Sequence, residues 1–223
     1  MTPGTFRKSD ETLRVLTAVA DSHSPAAFAC SFGAEDMVIV DLIAGAGLAI
    51  EVFTLDTGRL PEETFDLIAE VRLRYPIFVR VLAPVGSSVE SYVERNGPNA
   101  FYDSVAQRRE CCQIRKVEPL GRALQGKKAW VTGLRHEQAA TREKIELKSW
   151  DGINGLWKFN PLLDWSIDEL WNYIRDRNVP YNKLHDDGYP SIGCTPCTRA
   201  IVPGEDLRAG RWWWGCVHTQ SAS

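Results

Sequence analysis

The 223-residue sequence has no uninterrupted apolar run approaching the ~18 residues that a membrane helix needs, so a membrane-spanning role is not expected. The stretch from residue 1 to 11 is polar and has no apolar segment of the kind a secretory signal carries. Excess charge of one sign is also lacking: 26 Lys and Arg stand against 29 Asp and Glu, for a net charge of −3. A general nucleic-acid binder would show a basic balance, so that class is set aside. There is no internal repeat and no low-complexity tract, which excludes a solenoid or an array. Cysteine is sparse at six residues. A cytoplasmic location is the expectation, and in a reducing compartment those cysteines point to metal ligation or catalysis rather than to disulfides.

What is present reads as one α/β domain. The apolar fraction of 44% and charged fraction of 25% are ordinary for a globular chain. Short apolar runs at 26–30 (AAFAC), 49–55 (AIEVFTL), 77–82 (IFVRVL) and 128–132 predict strands. Helical patterns at 35–46 and 61–75 alternate with them, the second opening on Pro61 with Glu62 and Glu63 in its first turn. Strands separated by helices predict a parallel sheet flanked by helices. A late helix is expected at 166–177, with Ser166 as N-cap and Glu169 three residues on. Residues 181–198, rich in Gly, Pro, Asp and Cys, read as a loop built to hold something, and 203–223 as a flexible C-terminal arm beyond a domain of 1–202.

Three motifs follow predicted strands and therefore belong at the carboxyl edge of the sheet, where open parallel sheets bind ligands. Ser31-Phe32-Gly33-Ala34-Glu35-Asp36 opens a helix after the first strand. Its backbone N–H groups, the Ser31 hydroxyl and the small Gly33 suit an anion, although a plain strand–helix turn with a capping serine fits equally well. Leu55-Asp56-Thr57-Gly58-Arg59 follows the second strand and reads either as a ligand loop or as a turn capped by Asp56. Thr132-Gly133-Leu134-Arg135 follows the fourth, and Arg135 there could grip phosphate or sulfate with two parallel hydrogen bonds. Taken alone, a solvated arginine is the simpler reading. Arg108, Arg109, Arg115 and Lys116 form a further local group of cations.

The cysteines divide into Cys111-Cys112, Cys194-x-x-Cys197, and two others, Cys30 and Cys216. Four thiolates suit zinc or a 4Fe–4S cluster. Adjacent cysteines are awkward for a zinc knuckle, whereas the separated iron corners of a cubane can accept neighbours. A thioredoxin-type Cys-x-x-Cys pair remains an alternative. Buried structural cysteines are disfavoured by the charged flanks Arg109, Glu110, Arg115 and Lys116. In the tail, Gly210-Arg211-Trp212-Trp213-Trp214-Gly215-Cys216-Val217-His218 offers three tryptophans that could fold the arm over a site. Cys216 is a candidate nucleophile there, and His218 could lower its pKa.

Read together, SFGAEDMV, LDTGRLPEET, RRECCQIRKVEPL, VTGLRHEQAATR, NPLLDW and GYPSIGCTPCTR, spread over about residues 26–214, resemble the sulfonucleotide reductases, the thioredoxin-dependent phosphoadenylyl-sulfate and adenylyl-sulfate reductase family, and most closely its adenylyl-sulfate branch. The resemblance implies an adenine-nucleotide α-hydrolase-like fold of the PP-loop type. It implies a 4Fe–4S cluster on Cys111, Cys112, Cys194 and Cys197, with Lys116 between cluster and sulfate. Ser31, Phe32, Gly33, Glu35, Asp36, Asp56, Thr57, Gly58, Arg115, Arg135 and Arg211 would contact substrate. The implied reaction reduces adenosine 5′-phosphosulfate to sulfite and AMP for sulfate assimilation and cysteine biosynthesis. A cysteine on the arm takes the sulfonate and thioredoxin releases it, with Cys216, Lys116 and His218 as the catalytic set. The single Gly33 departs from the two adjacent glycines of related ATP pyrophosphatases and speaks against that activity or a sulfurtransferase on the same fold. The family's arm ends in Glu-Cys-Gly-Leu-His; here Gly215 replaces the acid and one residue is missing before His218. A reductase for the 3′-phosphorylated nucleotide and a non-catalytic iron–sulfur nucleotide binder are the alternatives. A homo-oligomer is left open.

Overall fold

The structure, a computed structural model, describes residues 3–138 and 145–216. Six strands form one sheet in the order β3-β2-β1-β4-β6-β5. They are β1 (Ala26–Ala29), β2 (Ile50–Leu55), β3 (Val79–Leu82), β4 (Ala129–Val131), β5 (Lys148–Asp151) and β6 (Leu156–Phe159). All neighbours run parallel except the β5–β6 hairpin. The expected parallel sheet is thus found, with an antiparallel edge pair that alternation at 148–151 was too short to signal.

The two-residue period of the strands divides the core between two faces. Ala26 and Phe28 of β1, with Ala129 and Val131 of β4, face a large core shared with four helices. These are α1 (Pro3–Ser22), α2 (Ala34–Gly45), α3 (Glu62–Arg74) and α7 (Ile167–Asp176). Ala27, Phe53 and Trp130 point the other way, against Ala123 and Leu124 of α6 (Glu118–Leu124). Two more helices, α4 (Gly86–Asn96) and α5 (Val105–Cys112), complete the set. No described helix is long and apolar enough to cross a membrane.

Helix α2 is apolar almost all round because it is buried against both α1 and α7. Its Asp41 carboxylate is held from three sides. The Tyr173 hydroxyl donates at 2.7 Å, Arg177 Nε at 2.7 Å and the Tyr75 hydroxyl at 3.0 Å. Burial and the Asp41 charge push both tyrosine hydroxyls up, so they remain donors. The capping box on α7 forms as expected, Ser166 Oγ accepting from Glu169 N at 3.1 Å and the Glu169 carboxylate from Ser166 N at 2.8 Å. Asp41→Ala orphans two hydroxyls and a guanidinium at once. It should cost about 2–3 kcal/mol in urea unfolding, and a change below about 0.5 kcal/mol would mean the three donors find other partners.

Candidate active site

The sheet order reverses between β1 and β4, and that reversal leaves a crevice at the carboxyl ends of these neighbours. The crevice is a cleft of about 560 Å³. One wall is Ser31, Gly33, Glu35 and Asp36, leaving β1. Another is Gly133, Leu134 and Arg135, leaving β4. The loop after α7 supplies His185, Ser191 and Ile192, and Trp171 comes from α7 itself. A smaller compartment of about 130 Å³ lies toward β2 and is lined by Ala29, Phe53, Leu55, Leu60 and Cys30.

The loop at 31–36 is drawn tight by its own acid. Asp36 reaches back from the first turn of α2 to accept from Ser31 N at 2.5 Å and Ser31 Oγ at 2.7 Å. Burial pushes the Asp36 carboxyl up to about 7, the Ser31 hydrogen bonds opposing and Glu35 adding to the rise. Gly33 provides no side-chain cap for α2. Phe32, expected at the ligand, is fully buried with φ of +61°, so its ring belongs to the core and only its backbone serves the loop. Gly133 permits this packing, because a Cβ there would sit 2.4 Å from Asp36 Oδ1 and 3.0 Å from Glu35 Cβ.

Arg135 is where its motif put it, but it is not an open cation. It is 1% exposed and bonded to Glu35 at 2.9 Å, to Glu137 at 3.1 Å and to the Trp165 carbonyl at 3.0 Å. Its guanidinium orients Glu35 rather than waiting for an anion. Asp56 and Gly58 line none of these cavities. Asp56 Oδ1 accepts from Gly58 N at 2.8 Å, the hydrogen bond of a turn. Thr57, the residue between them, is the useful one, as its hydroxyl lies 3.3 Å from Cys194 Sγ.

Cys111, Cys112, Cys194 and Cys197 line a single small cavity with Arg59, Arg108, Arg115 and Lys116. The tandem pair ends α5, and the chain then widens into a π turn, Gln113–Val117, before α6. That turn carries Arg115 and Lys116 inward. Arg115 is buried and donates to the Thr57 carbonyl at 2.7 Å, docking the turn on the loop after β2. The second pair is held by Thr195 N donating to the Arg59 carbonyl at 2.8 Å. Burial raises the Cys111 thiol and pushes Cys197 up to about 12, with the other cysteines adding to both shifts. Among the described residues, no three His, Cys, Asp or Glu side chains converge as ligands for one ion. Lys116 lines the cleft, the apolar compartment and the thiol cavity alike. It pairs with no carboxylate among the described residues.

From residue 203 the chain does not leave the body at once. Arg199 N bonds the Gly210 carbonyl, Thr198 bridges Arg211, and Trp212 N donates to the Cys197 carbonyl. Arg211 lines the cleft and donates to Ser191 Oγ at 3.2 Å and the Ile192 carbonyl at 3.0 Å. Its guanidinium fills the space a Cβ on Gly193 would need, 2.5 Å away. Trp212 stacks under Arg108 at 4.6 Å, and Trp214 meets Tyr102 edge-on at 4.6 Å. Cys216 closes the turn Trp213–Cys216, and His218 lies outside the described residues.

The phosphoadenosine phosphosulfate reductase domain matches residues 25–200. The chain belongs to that family. It is 54% identical over 202 residues to the adenosine 5′-phosphosulfate reductase of Allochromatium vinosum, covering 91% of this chain and 79% of that one. It is 52% identical over 206 residues to the protein of the same name from Neisseria meningitidis serogroup B, covering 92% and 84%. Among solved structures, phosphoadenylyl-sulfate reductase from Candida auris superposes with a TM-score of 0.73 at 25% identity, over 90% of this chain and 98% of that one. FMN adenylyltransferase from Candida glabrata, at 16% identity and a TM-score of 0.59 over 96% and 75%, shares the nucleotide-binding fold alone.

Within this reductase-family fold, the structure adds His185 and Trp171, which no quoted motif contains, and gives packing duties to Gly133 and Gly193, which lie inside quoted motifs. His185 and Gly193 lie in the Gly- and Asp-rich stretch expected to be a binding loop. Gly133 sat inside a quoted motif, but its purpose depends on Asp36, distant in sequence. Two substitutions test whether that close approach matters. Gly133→Ala should cost about 1–3 kcal/mol by overpacking. Gly121→Ala on α6, where a Cβ meets nothing within 4 Å, should be neutral or stabilise by up to about 1 kcal/mol. Equal unfolding midpoints for the two would show that the Gly133 loop yields freely.

Proposed function

We propose that this protein reduces adenosine 5′-phosphosulfate to sulfite and AMP, with thioredoxin as the electron donor. The observation that carries the reading is the place of Lys116, one ammonium shared by the cleft at the sheet edge, an apolar compartment and a cavity of four thiols. The names of the close relatives support it. The apolar compartment suits adenine, and the cleft beside Ser31 and Gly33 suits the rest of the nucleotide. That orientation directs the sulfate toward Lys116 and the cysteines.

The chemistry asks little of the protein beyond charge and position. The Cys216 thiolate attacks the sulfate sulfur, a sulfur–sulfur bond forms, and the sulfur–oxygen bond to phosphate breaks. AMP leaves with that electron pair. Lys116 stabilises charge gathering on the oxygens as it departs. A thioredoxin thiolate then attacks the Cys216 sulfur and expels sulfite. The second thioredoxin thiol closes a disulfide and frees Cys216, so two electrons from one dithiol balance the reaction. His218 would hold Cys216 as the thiolate.

The four thiols also fit an iron–sulfur cluster. Their donors are all soft sulfur, and they line one cavity. A 4Fe–4S cluster would be held by Cys111, Cys112, Cys194 and Cys197, and when bound it would order the loop and shape the field beside the sulfate. Anaerobically purified protein should carry about four irons per chain, and Cys194→Ser should lose them; stoichiometric zinc without iron would remove the cluster from the reading.

Incubation with adenosine 5′-phosphosulfate and a thioredoxin system should release sulfite. Without thioredoxin, intact mass spectrometry should find an SO₃ adduct on Cys216 that is missing in Cys216→Ser. Tight substrate binding with neither adduct nor sulfite would make the protein a nucleotide binder, and ATP turnover would make it a pyrophosphatase.

A further inference from the structure

One acid of the cleft has been given no duty in the scheme above. Glu35 lies in the first turn of α2, lines the cleft and keeps 14% of its side chain exposed. Its two oxygens are in unequal positions. Oε1 takes both bonds from Arg135, from Nε at 3.0 Å and from Nη2 at 2.9 Å. Among the described residues nothing donates to Oε2. Nor is Oε2 one of the buried side-chain atoms left without a partner, so it is the oxygen that opens on the cleft. Arg135 is buried and tied to the Trp165 carbonyl, which holds the carboxylate in one direction.

That direction is toward the open side of Gly33. A Cβ on Gly33 would sit 3.8 Å from Glu35 Oε2 and 3.7 Å from Ser31 Oγ, so the two oxygens flank one patch of the cleft floor. Both are acceptors there. The Ser31 hydroxyl gives its proton to Asp36 Oδ2, which also accepts from Ser31 N and is therefore the acceptor in both bonds. A carboxylate only accepts. The patch calls for a ligand group with protons to give, and it repels one that carries negative charge. The unpaired cations of the cleft lie on the cysteine side. Lys116 also lines the thiol cavity, and Arg211 precedes Trp212, whose N bonds the Cys197 carbonyl.

Resting on the function proposed above, we infer that Glu35 Oε2 and Ser31 Oγ receive the two ribose hydroxyls of the nucleotide, and that the Glu35 charge turns away a ribose carrying a further phosphate. Ser31 lines both the cleft and the apolar compartment that suits adenine, whereas Glu35 lines the cleft alone. The sugar joins base to phosphate, so it crosses the border at Ser31. Phosphate and sulfate are ionised and have no proton to donate. The adenine amino group stays with the base, in a compartment that Glu35 does not line. The neighbouring ribose hydroxyls are the two donors that remain, and two acceptors face them. An acid on a ribose hydroxyl is how dinucleotide sites favour the unphosphorylated sugar, and a cation takes its place where a phosphate is wanted. A site built to receive a hydroxyl also discriminates strongly against an analogue lacking it. Glu35 is thus a specificity-determining residue.

Calorimetric titration with AMP, its 2′-deoxy and 3′-deoxy forms, and adenosine 3′,5′-bisphosphate tests this without turnover. The wild type should bind AMP and lose roughly tenfold in affinity for each deoxy form. It should lose on the order of a hundredfold for the bisphosphate. In Glu35→Gln, which keeps an acceptor without the charge, the bisphosphate penalty should fall below about tenfold. Ser31→Ala should erase the loss for one of the two deoxy forms. Glu137→Gln removes the other carboxylate on Arg135 but leaves Oε2 in place, so it should keep the wild-type ratios. A merely structural effect of losing the Arg135 ion pair would weaken all four ligands alike and move no ratio. Thermal melts establish that the variants fold. Equal affinity of the wild type for AMP and the bisphosphate, or for AMP and both deoxy forms, would overturn the inference while leaving the proposed function standing. So would a bisphosphate penalty that persists undiminished in folded Glu35→Gln. No binding of AMP or of adenosine 5′-phosphosulfate to the wild type would instead defeat the functional reading itself.

Discussion

The site depends on how closely two loops approach at the sheet's point of reversal. Strands β1 and β4 are parallel neighbours, and the loops that leave them pack against each other. Asp36 from one and Gly133 from the other meet at a distance that no side chain on Gly133 would allow. Everything on the cleft floor follows from that contact. Asp36 can hold Ser31 because nothing pushes it aside. Glu35 can meet Arg135 because the backbone of the second loop lies close enough. Arg135 in turn reaches under the chain to the Trp165 carbonyl and fixes the approach to α7.

A second constraint operates on the far side of Lys116. Three segments distant in sequence converge on the thiol cavity: the loop after β2 through Thr57, the π turn through Arg115, and the segment at 194–197. The arm is stitched to the same place by Trp212 N on the Cys197 carbonyl. Cysteines, cations and arm are therefore mechanically one assembly. A disturbance of the 194–197 segment is felt by Trp212 and by the loop after β2 at the same time.

Much of this was legible in the chain, and the reasons for the remainder are physical. The strands β1 and β2 and the helices α2, α3 and α7 were readable because burial makes the strands and α2 largely apolar and gives α3 and α7 one buried face. Helix α1 escaped because its buried face begins with the polar Thr5, Ser9 and Thr12, of which Ser9 bonds locally and Thr12 bonds Pro161 and Trp165. Strands β5 and β6 escaped because four residues each, with Trp150 half exposed, give too little alternation. The motif residues reached the right edge of the sheet, since strand ends determine that. Their individual duties did not follow. Whether Arg135 is free or paired depends on Glu137 and Trp165. Whether Asp56 serves a ligand or a turn depends on Gly58 N. No local pattern contains those answers.

The π turn at 113–117 gives Lys116 its aim, and it does so by arithmetic. A π turn carries one residue more than an α-helix would spend on the same climb. Each residue of a regular helix advances the azimuth by about 100°. If the surplus residue were lost, α5 and α6 would merge into one even rod, and every side chain beyond the cysteines would be rotated by about that angle relative to those before them. The thiols and the ammonium would then face different quarters of the compass. Their common orientation is a property of an uneven thread in the helix, and sequence length across five residues guards it as strictly as the identity of the lysine.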